Sequence, residues 1–396
     1  MKLLVVCQYY HPEPFRVHAI CAELAKRGHE VQVVTGMPNY PMGQLYPGYE
    51  ANRPVDEELD GVKIHRCPIH PRKQGPVHRL WNYISYPAAA SRWLRRSKGQ
   101  YDAVLINQLS PVMMANPGLR YGKKAGIPTA LYCLDLWPES LLAGGVRRGS
   151  CVYRLFHRVS KKIYRAADRL LISSYEFRDY LHREFDLDPA KIRYLPQFAE
   201  ELFQPLPDKT PAGTRRLLFA GNVGAFQSVD TILRAAERTR ELPVVYEILG
   251  DGTELEALKK LAQELNLDNV EFLGRHSLEE MPAYYAGADA MLLTLKANPV
   301  LSLTLPGKIQ SYLAVGKPII GAADAAAQRV IQEANCGFCG PAEDCQALAE
   351  NVRRFCALAD PAELGRNGRA YSELHFSRKN IMDRLEETLL ELAGGR

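Results

Sequence analysis

No run of about twenty apolar residues occurs anywhere in this 396-residue chain, so no transmembrane helix is expected. No secretory leader is expected either. The opening MKLLVVCQYY offers one lysine and a short apolar stretch ended by Cys7 and Gln8, with no small-residue cleavage site. Nine cysteines, an odd number, are scattered through apolar positions such as Cys7, Cys21 and Cys133. That pattern fits a reduced, cytosolic protein. Metal-ligand spacing is equally scarce. Cys336-Gly337-Phe338-Cys339 is a lone CxxC with Cys345 nearby and no second pair, short of the four ligands of a structural zinc site. Asp186-Leu187-Asp188 superficially matches a metal-holding DxD, but it precedes Pro189 in a segment that reads as a turn.

Acidic residues are the other scarcity. Between 61 and 165, 19 Lys and Arg face only 3 Asp and Glu. Over 1–200 the counts are 29 against 18, and over the remainder 21 against 27, although the whole chain carries only +5. Such a half-molecule field attracts polyanions or an anionic membrane surface. Segment 79–98 sets Leu80, Trp81, Tyr83, Ile84, Tyr86, Trp93 and Leu94 beside Arg79, Arg92, Arg95, Arg96 and Lys98. Aromatics among cations suit the headgroup level of a bilayer; a solvated face over a buried apolar stripe is the alternative. No nucleic-acid-binding signature accompanies the charge, which ranks nucleic acid low as a partner.

What is present is ordinary globular composition, 46% apolar and 24% charged, over a length that suggests about two to three domains. The apolar run 3–6 reads as a buried parallel strand, 17–26 as a helix closed by Gly28, and 31–35 as a second strand, together a βαβ unit. Strands at 103–106, 128–133, 169–172 and 191–195 continue the alternation, with a helix running to Lys124. Pro196, Pro205, Pro207 and Pro211, with Asp208-Lys209-Thr210 among them, then read as a linker. After it come strands at 216–220, 244–249, 270–273, 290–294 and 318–321, with helices at 229–240, 254–265, 279–285 and 308–315 between them. Two doubly wound α/β domains are expected, with ligands beyond the carboxyl ends of the strands and a cleft between the domains.

The chemistry-bearing residues sit at those strand ends. Leu305-Pro306-Gly307-Lys308 opens a helix: proline is tolerated there, glycine removes bulk, and lysine adds charge to the free N–H groups. This is an anion site suited to a diphosphate, unless the helix is simply capped and its lysine faces water. Gly221-Asn222-Val223-Gly224 follows a strand and lets a ligand approach the backbone, though it is not GxGxxG. Gly250-Asp251-Gly252 reads first as a tight strand cap. In the first half, Asp135 and Glu139 flank Trp137-Pro138 after a strand. Asp135 could orient a sugar hydroxyl or act as a base, while Glu139 could equally cap the following turn. Arg16, after Tyr10-His11-Pro12-Glu13-Pro14-Phe15, could bind phosphate bidentately or stand solvated at a helix start. Asn39 and Tyr40 occupy the loop after the second strand.

Over essentially its whole length the chain resembles the family 4 retaining glycosyltransferases of GT-B fold. Within them it is similar to bacterial O-antigen or capsule transferases using UDP-N-acetyl-L-fucosamine. The resemblance rests on QYYHPEPFR (8–16), TGMPNYPMG (35–43), YCLDLWPES (132–140), FAGNVG (219–224), LGDGTELE (249–256), LPGKIQSYLAVGKPIIG (305–321) and CGFCGPAED (336–344). It implies two Rossmann-like domains facing across a cleft. An acceptor domain spans 1–205, a nucleotide-sugar domain 206–375, and a C-terminal helix, 376–396, packs back toward the first. It implies UDP-sugar as co-substrate with no metal or other cofactor, and Asp135 and Lys308 as catalytic residues. Donor contacts would come from Gly221, Asn222, Gly224, Gly250, Gly274, Arg275, Leu305, Pro306, Gly307, Lys308 and Ser311. Acceptor contacts would come from Arg16, Asn39, Tyr40 and Glu139. The acceptor would be a lipid-linked saccharide at the inner face of the cytoplasmic membrane.

The chain also departs from the pattern. Leu303 and Ser311 stand where many members pair two glutamates, and Asn222 and Gln227 where many carry an arginine and a lysine. Leu134-Asp135 replaces a histidine, and Pro14-Phe15-Arg16 a glycine pair. Phosphate binding therefore falls on Lys308, with Lys296 or Arg275. A sugar-nucleotide 2-epimerase of the same architecture, or a non-catalytic sugar-nucleotide-binding partner, are the competing readings.

Overall fold

The computed structural model describes residues 1–395 apart from 73–74, 98–99, 144 and 208–212. Lys98 and the linker residues Asp208, Lys209, Thr210 and Pro211 lie outside the described residues, as does the side chain of Arg79. The chain divides into two compact units. Met1–Leu195 with Met382–Arg396 forms the first, and Pro196–Ile381 the second. The boundary thus falls upstream of the expected 205/206, at the first proline of the segment read as a linker.

The first unit holds eight strands: β1 (Lys2–Val6), β2 (Glu30–Gly36), β3 (Val55–Leu59), β4 (Val62–Cys67), β5 (Ala103–Gln108), β6 (Thr129–Cys133), β7 (Arg169–Ile172) and β8 (Ile192–Tyr194). Their order is β3-β4-β2-β1-β5-β6-β7-β8, parallel except for β3, which runs antiparallel to β4. β5 and β6 are buried along their whole length, as strands covered on both faces must be, whereas edge strand β3 alternates half-buried and exposed. Asp60 and Gly61, both at positive φ, turn β3 into β4. The last helix, Arg378–Gly394, carries Asp383 and Glu386, which take Arg27 Nη1 at 2.8 and 2.7 Å.

The second unit holds β9 (Arg215–Ala220), β10 (Val244–Leu249), β11 (Val270–Gly274), β12 (Ala290–Thr294), β13 (Ile319–Ala322) and β14 (Gly337–Gly340). All are parallel, in the order β11-β10-β9-β12-β13-β14. This is the dinucleotide-fold order, whose switch point lies beside the first strand, here β9. Residues of β9 alternate between two cores: Leu218 and Ala220 pack with Ile309, Tyr312 and Leu313, while Leu217 and Phe219 pack with Ile232 and Ile248. The lone CxxC proves structural. Cys336 and Cys339 border and enter β14, and both thiols rest on backbone carbonyls. Asp186 ends the helix Phe177–Phe185 in a left-handed conformation, and Asp188 caps the turn Pro189–Lys191, as turn chemistry requires.

Candidate active site

In the second unit the site is built from β9 outward. Pro306 takes the N-cap of helix Gly307–Ala314 at φ −65 and ψ 131, where its missing N–H is no loss. The apolar face of that helix is buried, and Tyr312 pins it: its hydroxyl donates to the Ala220 carbonyl at 3.2 Å. One turn earlier, on the same side of the helix, Lys308 runs beneath the turn after β9. A Cβ on Gly221 would lie 3.1 Å from Lys308 Nζ. The ammonium donates to Gln227 Oε1 at 2.9 Å and sits 4.1 Å from the centre of the Phe219 ring. Burial lowers its pKa to about 7. A dianion placed against it would restore the proton.

Three turns at the carboxyl ends of β9, β10 and β11 are stacked backbone on backbone. Gly221 N–H donates to Leu249 O at 2.9 Å, Gly250 N–H to Gly274 O at 2.8 Å, and Val223 N–H to Asp251 O at 2.9 Å. A Cβ on Gly250 would fall 1.8 Å from the Gly221 carbonyl. Gly250 therefore does cap its strand tightly, and by doing so holds the Gly221 turn open. Together the turns line a pocket of about 510 Å³ with Asn222, Asp251, Arg275, His276, Leu278 and Met281. Arg275 is exposed and, among the described residues, makes no ion pair. His276 is held by the Tyr284 hydroxyl and the Leu273 carbonyl.

Not every expected donor residue reaches that pocket. Gly224 lies under the Asn222 amide and lines a second pocket, of about 210 Å³, with Lys296 and Glu343. Leu305 is a core residue, packed with Ile309 and Tyr312, and lines neither pocket. Ser311 is buried and lines neither pocket. Asp251, which the sequence reading passed over as a site residue, stands just beyond β10 and lines the larger pocket.

In the first unit the loops after β1, β2, β4 and β6 interlock. Glu13, almost wholly buried, accepts N–H bonds from Asn39 at 2.9 Å, Tyr40 at 2.8 Å and Tyr10 at 3.0 Å. Burial raises its carboxyl to about 7 against the pull of those three donors. Asn39 was expected at the acceptor, yet it is fully buried. Its amide donates to Met37 O and accepts from Arg72 N–H, so it fastens two loops together. Glu139 is likewise corrected. It is fully buried, and one carboxylate oxygen accepts from Arg148, Tyr153 and Tyr180. It caps no helix.

Three groups keep accessible surface. Asp135 is half-buried, accepts the Ser110 N–H at 2.9 Å, and is raised above the usual carboxylate range by burial, with Ser110 and the Arg72 charge opposing. Tyr40 packs against Tyr9 and Phe15. Arg16 stands half-buried at the N-cap of helix Val17–Lys26. Arg72 joins them: its guanidinium lies 5.8 Å from the Tyr40 ring centre, and its charge reaches Tyr9 and Asp135. Sequence reasoning missed Arg72 because it missed β4, whose carboxyl-end loop carries it.

Residues 15–197 match the glycosyl transferase 4-like domain, and residues 214–357 match the glycosyl transferases group 1 domain. The chain is 26% identical to the putative colanic acid biosynthesis glycosyl transferase WcaI of Escherichia coli K12, over 96% of this chain and 98% of that one. It is 29% identical to the probable glycosyltransferase WbjE of Pseudomonas aeruginosa, over 71% and 72%. The chain is a glycosyltransferase of GT-B fold. Sucrose-phosphate synthase from Thermosynechococcus elongatus superposes on this glycosyltransferase with a TM-score of 0.76 at 19% identity, covering 100% of this chain and 99% of that one. HepE of Anabaena in complex with UDP does so with 0.71 at 15%, covering 98% and 99%.

Proposed function

We propose that this glycosyltransferase moves a sugar from a UDP-sugar to a lipid-linked or saccharide acceptor of a surface polysaccharide, of O-antigen or capsule type, with retention of anomeric configuration. N-acetyl-L-fucosamine is the donor sugar to test first. The observation that carries the reading is Lys308, a desolvated ammonium lying against the Gly221 turn beside a pocket of nucleotide size. Arg275 supplies a second cation, and Asp251 takes the ribose hydroxyls that Ser311 lies too far back to meet. The UDP complex of HepE and the colanic acid name of the E. coli relative point the same way.

In the reaction the bond from the anomeric carbon to the β-phosphate oxygen breaks, and a bond from that carbon to the acceptor oxygen forms on the same face. The acceptor proton passes to the leaving phosphate. Lys308 and the helix N-terminus stabilise the charge that develops on the diphosphate. Asp135, Tyr40, Arg16 and Arg72 orient the acceptor. No step uses a metal, so turnover should survive a chelator. Among the described residues no helix is long and apolar enough to cross a membrane. On this reading the enzyme attaches peripherally to the inner face of the cytoplasmic membrane, which the basic stretch 61–165 supports.

Transfer is tested with a panel of UDP-sugars and lipid-linked acceptors. Lys308→Ala should abolish turnover while circular dichroism stays as in the wild type. Unchanged turnover would remove the phosphate site, and release of an epimerised UDP-sugar without acceptor would replace transfer by epimerisation.

A further inference from the structure

A groove of about 610 Å³ lies between helices Pro76–Arg96 and Asn116–Ala125, and none of the site residues above lines it. Its walls include the apolar Ile84 and Leu94, and four cations border it: Arg92, Arg95, Arg120 and Lys124. All four are exposed, and among the described residues none makes an ion pair or hydrogen bond. The two helices pack against each other, and Cys151–Ala166 packs against Asn116–Ala125. None of the three contains an Asp or Glu.

A merely solvated basic face does not look like this. Helices of the second unit pair their cations within a turn, as in Arg329 with Glu333, Lys260 with Glu264 and Arg369 with Glu373. Among the described residues Arg92, Arg95, Arg120 and Lys124 stay unpaired, and large apolar side chains are exposed on the same helices or on Cys151–Ala166: Leu80 is 51%, Trp81 57%, Ile84 49% and Leu155 57% exposed. Of the aromatics that the sequence suggested for a membrane interface, Trp81 is exposed, whereas Tyr86 is fully buried and donates to Val34 O. Unpaired cations around an apolar trough complement a ligand with a phosphate at one end and hydrocarbon at the other.

We infer that this groove seats one anionic phospholipid of the bilayer. Its phosphate lies among Arg92, Arg95, Arg120 and Lys124, and its upper acyl chain lies along Ile84 and Leu94. Leu80 and Trp81 enter the headgroup layer. The inference rests on the reading that the enzyme works at a membrane, and it names the chemistry that holds it there.

The full-length protein is spun with vesicles of phosphatidylcholine alone and of phosphatidylcholine mixed with phosphatidylglycerol. Binding is expected only to the mixed vesicles, and Arg92→Glu with Arg120→Glu should weaken it about thirtyfold or more. The milder pair Arg95→Gln with Lys124→Gln should weaken it in the same direction, with melting unchanged. Calorimetric affinity for UDP should stay as in the wild type in both variants. Equal binding of wild type and variants, failure to bind the mixed vesicles, or preference for duplex DNA over them would each overturn the inference. Loss of UDP binding by Lys308→Ala, or its absence in the wild type, bears on the transferase reading instead and leaves the vesicle result standing.

Discussion

Lys308 Nζ and Gln227 Oε1 stand 2.9 Å apart, so the residue that replaces an expected cation serves the cation that remains. A lysine at 227 would set two ammonium groups in contact around the Gly221 turn. The glutamine carbonyl instead orients Lys308 and takes part of the cost of its burial. Gln227→Leu should therefore raise the KM for UDP-sugar about tenfold, the lower end of what a hydrogen bond to a charged group contributes. Steady-state kinetics with the donor varied would read this. A KM within twofold of the wild type would make Gln227 incidental.

The same lysine makes stability depend on pH in a stated direction. Its pKa is about 7 in the folded protein, against about 10.4 for an ordinary lysine, so between those values the unfolded chain holds the extra proton. Wild-type stability should rise with pH across that window, and the destabilising effect is fully present below about pH 7. Lys308→Met should be more stable than the wild type at about pH 6, with the difference shrinking by about pH 10. Urea midpoints at the two pH values measure it. Binding of UDP should also take up protons, which calorimetry in buffers of different ionisation enthalpy would show.

Gly250 and Gly274 both have positive φ, at +146 and +75, yet their substitutions should differ. A Cβ on Gly250 falls on the Gly221 carbonyl, and backbone cannot swing aside, whereas a Cβ on Gly274 meets nothing within 4 Å. Gly250→Ala should cost about 3 kcal/mol or more through overpacking and close the pocket mouth. Gly274→Ala should cost about 1 kcal/mol, the left-handed backbone penalty alone. Thermal unfolding of the two variants side by side decides it.

How much of this was readable beforehand follows from which signals are local. The 290–294 strand and the helix at 307–314 announce themselves by apolar runs and Pro-Gly punctuation, and they place Lys308 without help. The β3–β4 hairpin was missed although Asp60-Gly61, flanked by alternating residues, is a strong local hairpin signal. With it went the loop bearing Arg72. Other errors had no local signature. Whether Asn39 and Glu139 face a substrate or a neighbouring loop depends on Arg72, Tyr153 and Tyr180, partners up to 41 residues distant. Charge asymmetry was legible as a count, but the groove it surrounds exists only once two helices pack.

Glu139 gives the sharpest test of that distinction. Its carboxylate is fully buried and takes the Tyr153 and Tyr180 hydroxyls at 3.0 and 2.5 Å; burial and the carboxylate together push the Tyr180 phenol far up. Arg148, its charged partner, keeps 55% of its side chain in solvent and can rehydrate. Glu139→Ala therefore leaves two buried hydroxyls without their acceptor and should cost about 3 kcal/mol. Glu139→Gln, which retains a carbonyl, should cost about half as much. At a temperature where both variants are folded, the KM for the acceptor should match the wild type. A rise in that KM without loss of stability would return Glu139 to the acceptor site, because a residue that only braces the loops cannot act on substrate while the fold is untouched.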